Sequence, residues 1–239
     1  MQSFYASNKK TRLQLSDELR SLLESMATKK KIHKDSFLFY HGQDAKEIYL
    51  IKSGIVQISM NSSEGEEMAL RICKTDDIVG ELTLYTDNPK YLLNAHVIES
   101  GEVLVINIKR LQQELMRNQN LAIEMMKWIN NHMRRLQSKM RDLLLNGKRG
   151  ALYSTLIRLS NSYGVKQNNG ILINIQLTNQ DIARFCGATR EYVNRLLNEL
   201  KRKDILALDS TGKILIKDIE YLRKENQCEN CPIEICNID

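Results

Sequence analysis

The chain has 239 residues, 42% of them hydrophobic, and a formal net charge of +6. That length suits two domains with packed cores. No apolar run reaches membrane-spanning length, and the polar stretch from Met1 to Lys31 reads as no signal peptide, so a soluble cytoplasmic protein with no membrane partner is expected. The charge is uneven: residues 1–108 carry 13 basic and 15 acidic side chains, 109–146 carry 8 and 3, and 147–239 carry 14 and 11. A positive excess outside the N-terminal part suits a polyanion-binding C-terminal half.

Ser16 to Met26 has helical spacing, with Ser16 placed to cap it and Leu19, Leu22, Leu23 and Met26 on one face. Lys29 to Lys31 close it. From His33 to Ile108 the pattern changes to short β-type runs punctuated by glycine: Ser36 to Tyr40, Ile48 to Lys52, Ile55 to Met60, Met68 to Cys73, His96 to Ile98 and Val103 to Ile108. Gly54 and Gly65 are read as tight turns. Short strands at this spacing predict a sandwich or a barrel.

A helix is predicted from about Leu111 to Asn146, with no Pro or Gly before Gly147. From Ala122 its apolar residues are Ala122, Met126, Ile129, Met133, Leu136, Met140 and Leu143, in alternating steps of four and three. That is the spacing of a coiled-coil seam. A helix packed into its own chain's core carries the same spacing; the length of the run and the Lys or Arg at 127, 134, 135, 139 and 141 favour a homodimer.

Asn146-Gly147 then supplies a cap and a hinge. Ala151 to Tyr163 is a second helix, Asn168-Asn169-Gly170 is a turn, and Ile171, Ile173 and Ile175 alternate as a strand. In the segment that follows, Thr178 can cap one helix with Asp181 in its first turn, Gly187 permits a turn, and Thr189 can cap a second. Ile182, Ala183, Val193, Leu196 and Leu197 can pack the pair, leaving Arg190, Glu191, Asn194 and Arg195 on an outward face suited to the major groove. A solvated face with an i,i+4 pair from Glu191 to Arg195 is the structural alternative. Ile205 to Leu208 and Lys213 to Ile216, joined across Asp209 to Gly212, form a wing.

Five cysteines in a cytoplasmic chain are poor candidates for disulfides. Cys228, Cys231 and Cys236 form a C-x2-C-x4-C pattern whose short loops bring three thiolates onto one metal centre. Spacing alone leaves zinc and an iron-sulfur cluster both open. Cys73 and Cys186 read as packed thiols. The four histidines, His33, His41, His96 and His132, show no catalytic or metal spacing, so an enzyme is not expected.

Ile48-Tyr49-Leu50-Ile51-Lys52-Ser53-Gly54-Ile55-Val56, followed by Gly80-Glu81-Leu82-Thr83-Leu84, resembles the Crp/Fnr family of transcription regulators. The resemblance implies an α+β chain: an N-terminal double-stranded β-helix, the cyclic-nucleotide-binding β-roll (1–108), a long dimerisation helix (109–146), a winged helix-turn-helix (147–226) and here a cysteine-rich tail (227–239). In cyclic-nucleotide-binding members an Arg-Ser pair follows ten residues after the motif's Glu and grips the phosphate. Tyr91 and Leu92 stand there, and Lys90 beside them is a point charge without a fork, so no cyclic nucleotide is expected. Glu81 is then structural.

Arg190-Glu191-x-Val193-x-Arg195 matches the family's reading helix, which implies that Arg190, Glu191 and Arg195 contact bases of a TGTGA-like inverted repeat in double-stranded DNA. Enteric Fnr proteins carry an apolar residue at the Arg190 position and read TTGAT instead. Thr178, Asn179, Gln180 and the Lys201-Arg202-Lys203 run are candidates for phosphate. RNA polymerase is a further partner by resemblance. Enteric Fnr proteins bear their cluster cysteines before the β-roll, where residues 1–32 have none; the Cys-x-x-Cys-Pro tail resembles the Fnr branch of Bacillus. That branch implies one 4Fe-4S cluster per subunit, completed by an aspartate near the end of the dimer helix, here Asp142 in Arg-Asp-Leu-Leu-Leu. On the residues alone His132, Asp218, Glu225 and Asp239 are equal candidates. The resemblance further implies oxygen-responsive control, mainly activation, of anaerobic and nitrate-respiration genes. A zinc-stabilised or cluster-independent DNA-binding protein is the alternative.

Overall fold

The computed structural model describes residues 15–61, 67–229 and 231–238, so the turn expected at Gly65 lies outside them. The chain divides into two compact units between Met133 and Arg134.

In the first unit, Ser16 caps α1 (Asp17–Ser25) by accepting from the Leu19 amide at 3.1 Å, and Leu19 and Leu23 are buried. The strands are β1 (Thr28–Ile32), β2 (Phe37–Phe39), β3 (Glu47–Asn61), β4 (Glu67–Cys73), β5 (Ile78–Val79) and β6 (Asn94–Asn107). They form one antiparallel sheet in the order β1-β6-β3-β4, with β2 on β6 and β5 on β3. Ile48, Tyr49, Leu50 and Ile51 are consecutive and all buried, so both faces of β3 are covered, as a rolled sheet with a filled interior requires.

Two expectations change here. The runs on either side of Gly54 are one strand, and so are those on either side of Gly101. Gly54 is not a turn: it sits in β3 with φ 87°, where the register against β6 shifts. A Cβ there would lie 2.6 Å from the Glu99 carbonyl, and one at Gly101 would lie 2.1 Å from that of Ser53. Close approach of two bulged strands, rather than reversal of the chain, requires both glycines. Lys29 to Lys31 do not end a helix but lie along β1, an edge strand with four of its five residues exposed.

The helix expected from Leu111 is two helices. α2 (Ile108–Arg117) stops at Asn118, which leaves helical geometry at φ −127°, ψ 92°. The Asn118 side chain then accepts from the Leu121 amide at 3.3 Å and starts α3 (Gln119–Tyr163). Gly147, at φ 57° and ψ −161°, bends α3 where the hinge was expected.

α3 carries two stripes, one residue out of phase. Leu121, Met125, Trp128 and His132 are buried in the first unit, and Arg135, Lys139 and Asp142 are buried in the second. The expected seam is the neighbouring stripe: Met126 is 60% and Met133 37% exposed, while Ala122, Ile129, Leu136, Met140 and Leu143 are half-buried. Ala122 and Ile129 also lean on the first unit's core. Arg135 and Lys139, two of the basic residues cited for the homodimer, are buried within the chain. The Lys139 ammonium lies 5.1 Å over the Phe185 ring, and loss of hydration pushes its pKa down to about 7.

In the second unit, α3 beyond the bend is buried at every position from Gly150 to Ser160, Ser154, Thr155, Arg158 and Ser160 included, as a central helix enclosed by its neighbours is. Around it lie β7 (Gly164–Gln167), β8 (Gly170–Ile173), α4 (Asn179–Cys186), α5 (Arg190–Arg202), β9 (Leu206–Leu208), β10 (Ile214–Ile216) and α6 (Ile219–Glu225). The sheet order is β7-β8-β10-β9, with β9 and β10 as the expected wing. β7 and α6 have no counterpart in the sequence reading. Among the described residues no helix is long and apolar enough to cross a membrane.

Candidate nucleic-acid interface and cysteine cavity

The reading head is built by its caps. The Thr178 hydroxyl accepts from the Asp181 amide at 3.1 Å while the Asp181 carboxylate accepts from the Thr178 amide at 2.9 Å, a reciprocal capping box that starts α4. Gly187 ends α4 in the left-handed region at φ 55°. Thr189 starts α5 by accepting from the Tyr192 amide at 3.2 Å. Val193, Leu196, Leu197 and Leu200 are buried, which turns Arg190, Glu191, Asn194 and Arg195 outward.

The structure places the remaining candidates less uniformly. Asn179 donates its side-chain amide to Asn194 Oδ1 at 3.0 Å, joining the two helices at the exposed face. Gln180 and Arg202 are exposed. Thr178 has its hydroxyl committed to the cap. Lys203 pairs with Glu199 at 3.2 Å and donates to the Tyr221 hydroxyl at 3.1 Å. Tyr192, absent from the sequence reading, carries the Arg195 guanidinium 5.2 Å from its ring. In the wing, Asp209 accepts from the Thr211 amide, the Thr211 hydroxyl and the Lys213 amide, each at 2.8 Å, and these bonds hold its carboxyl below the usual range.

The three tail cysteines come together with Asp142. Cys228, Cys231, Cys236 and Asp142 line one cavity of about 170 Å³, together with Arg141, Arg158, Ser138, Ser154 and Asn226. Asp142 is 4% exposed. Its Oδ2 accepts from Ser154 Oγ and from Arg158 Nη2 at 3.1 Å, and its Oδ1 from Arg141 Nη2 at 3.0 Å. Arg141 Nη2 also lies 4.0 Å from Cys231 Sγ, and Asn226 donates to Cys228 Sγ at 3.8 Å. Burial raises the Cys228 and Cys236 thiols; Asn226 opposes it at Cys228 and the Arg158 charge opposes it at Cys236. Among the described residues, no three Cys, His, Asp or Glu side chains are set to hold a single ion.

The other candidates lie elsewhere. Cys73 is buried beside Arg71, its thiol pushed up to about 12, and Cys186 is buried against Thr155, pushed up to about 11. Asp218 caps α6, Glu225 ends it, and His132 stacks on Trp128 at 3.8 Å in the first unit. Asp239 is outside the described residues. Arg158 and Ser154, which hold the Asp142 carboxylate, were not singled out in the sequence. The one signal for Arg158 is that it is the only charged residue between Ala151 and Tyr163.

Residues 29–118 match the cyclic nucleotide-binding domain, and residues 150–225 match the Crp-like helix-turn-helix domain. The chain is 57% identical over 225 residues to an anaerobic regulatory protein of Bacillus subtilis, covering 94% of each. The chain belongs to the Crp/Fnr family. It is 32% identical to the lactate racemization regulatory protein of Lactiplantibacillus plantarum, over 81% of this chain and 88% of that one. Among solved structures, CooA of Carboxydothermus hydrogenoformans superposes with a TM-score of 0.76 at 22% identity, covering 90% of this chain and 97% of that one, which speaks for the fold. As a Crp/Fnr member the chain is a DNA-binding transcription regulator.

In this Crp/Fnr chain the roll interior is filled by its own side chains. Glu81, 5% exposed, pairs with Arg71 Nη1 at 3.2 Å. Arg71 also donates to the Ile78 carbonyl and to Cys73 Sγ at 2.8 Å, meets His132 Nδ1, and lies 5.5 Å over the Trp128 ring. Tyr91, at the family's phosphate-gripping arginine position, stacks on Phe39 at 3.7 Å and donates to the Glu47 carbonyl at 2.6 Å. Leu92 beside it is 73% exposed, and Lys90 is also exposed. Sequence reasoning missed Arg71; its signal is a lone guanidinium in the apolar run from Met68 to Cys73.

Proposed function

We propose that this regulator responds to oxygen and acts in the cytoplasm as a homodimer, mainly as an activator of anaerobic and nitrate-respiration genes through RNA polymerase. It reads a TGTGA-like inverted repeat while one 4Fe-4S cluster per subunit is held by Cys228, Cys231, Cys236 and Asp142. The observation that carries this reading is the convergence of those four side chains on one cavity. The donor set fits the group: three soft thiols, one harder carboxylate, and two guanidiniums, Arg141 and Arg158, to offset the negative charge of the ligands. The hydrogen bonds on Asp142 are of the kind that orient a ligating carboxylate. When bound, the cluster would supply the oxygen-reactive centre. The partly exposed seam on α3, with Met126 and Met133 outward, supports the dimer, and two outward reading helices then require half-sites about one DNA turn apart. The filled roll interior supports regulation without a cyclic nucleotide.

Anaerobic purification is expected to give a brown protein with iron and sulfide in equal amounts, bleaching in air, and Asp142→Ala protein is expected to retain less iron. A colourless protein containing zinc would leave a zinc-stabilised DNA-binding regulator in its place. For the DNA face, Arg190→Ala is expected to cost about 1–3 kcal/mol and relax preference at one base pair per half-site, as loss of a bidentate guanine contact does. Selection from a randomised operator pool measures this; an unchanged consensus would remove Arg190 from base readout.

A further inference from the structure

We infer that the cysteine-bearing tail is docked on α3 by protein contacts alone, with Arg158 as the positioning residue that sets Cys236 and Asp142 relative to each other before any metal binds. Three consecutive tail carbonyls each accept from a side chain of α3: Glu234 from Arg135 Nε at 2.8 Å, Ile235 from Arg158 Nη1 at 3.0 Å, and Cys236 from Asn161 Nδ2 at 2.6 Å. The next partner reverses the roles, the Ile238 amide donating to Ser162 Oγ at 3.1 Å. Ile235 and Ile238 are 6% and 4% exposed. A segment buried this way without partners for its backbone would carry a desolvation cost at every carbonyl. Here each carbonyl from 234 to 236 has a donor, and none of the donors is a metal ligand.

Arg158 is the junction. It is 2% exposed and spends its planar fork in four directions: Nη1 on the Ile235 carbonyl, Nη2 on Asp142 Oδ2 and on Ser138 Oγ at 2.9 Å, and Nε on Ser154 Oγ at 3.0 Å. One rigid group thus spans α3 before the bend, α3 after it, and the tail. The other two thiols are held differently. Cys228 and Cys231 are half-buried, and the exposed Glu229 beside Cys228 pairs its carboxylate with Arg141. Cys236 and Asp142 are thus set by one shared residue, whereas Cys228 is tied to the end of α6, its amide donating to the Arg223 carbonyl at 2.9 Å.

This deepens the cluster reading, but the docking itself stands without it, and one experiment separates them. The full-length chain with all three tail thiols changed to serine, purified with chelator, is followed by amide hydrogen exchange. Residues 235–238 are expected to exchange at least tenfold more slowly than an unstructured chain, and residues 231 and 233 close to the unstructured rate. Arg158→Met should bring residues 235–238 to the fast rate, Arg158→Lys should restore part of the protection, and Asn161→Ala, at a half-buried position, should fall between. Fast exchange of residues 235–238 in the thiol-free chain, or protection unchanged in Arg158→Met and Asn161→Ala, would overturn the docking. A colourless wild-type protein with a protected tail would overturn the cluster and keep the docking.

Discussion

Replacing Arg71 with methionine is expected to destabilise the first unit by about 3–5 kcal/mol, the usual result of removing one partner of a buried ion pair. Glu81 would keep its buried carboxylate and lose its cation, while the Ile78 carbonyl and the Trp128 ring would lose a donor. Burial already raises the Glu81 pKa, and Arg71 pulls it back. Without Arg71 it rises further above its ordinary value. Stability of the variant is then fullest below the unfolded carboxylate range and falls as pH rises through the folded pKa. Urea unfolding at pH 5 and pH 8 should show the larger deficit at pH 8. Adding Glu81→Gln should recover part of the loss, since it removes the orphaned charge. A deficit independent of both pH and Glu81 would mean that Arg71 acts by packing alone.

Met126→Glu with Met133→Glu is expected to give a folded monomer. Both methionines are exposed within the chain, so the fold loses little, whereas in a paired seam each carboxylate would meet its own copy in a dehydrated groove. Specific operator binding exceeds non-specific binding by about 4–10 kcal/mol. A lone subunit keeps roughly half of that margin, so affinity for the palindrome should fall by about two to three orders of magnitude. Light scattering reads the mass and fluorescence anisotropy the affinity; a dimer of unchanged stability would place the interface elsewhere.

Legibility in the sequence followed local chemistry. The reading head was predictable to the residue because Thr178, Asp181, Gly187 and Thr189 mark each boundary with a cap that works within its own turn. Gly54 and Gly101 misled because glycine serves a reversal and a close approach equally well, and which strand lies opposite is not written nearby. Asn118 passed unnoticed in a helical run because the residue that caps one helix is also tolerated inside another. The stripe beside the expected seam was not legible, since His132, Arg135, Lys139 and Asp142 read as polar until their buried partners are known. The same blindness hid Arg71 and Arg158. Arg71 pairs with Glu81 on another element and Arg158 with Asp142 across the bend at Gly147, and spacing rules find only partners on one unbroken helix or strand.

Asp142 and Leu143 are adjacent residues of one rod, the first turned toward the cysteines and the second toward the proposed partner subunit. A helix transmits torque without a relay. Any adjustment that swivels the carboxylate about the rod's axis swivels the neighbouring leucine through the same angle, so in the proposed cluster-bearing dimer the cavity and the crossing of the two subunits would share a single mechanical coordinate.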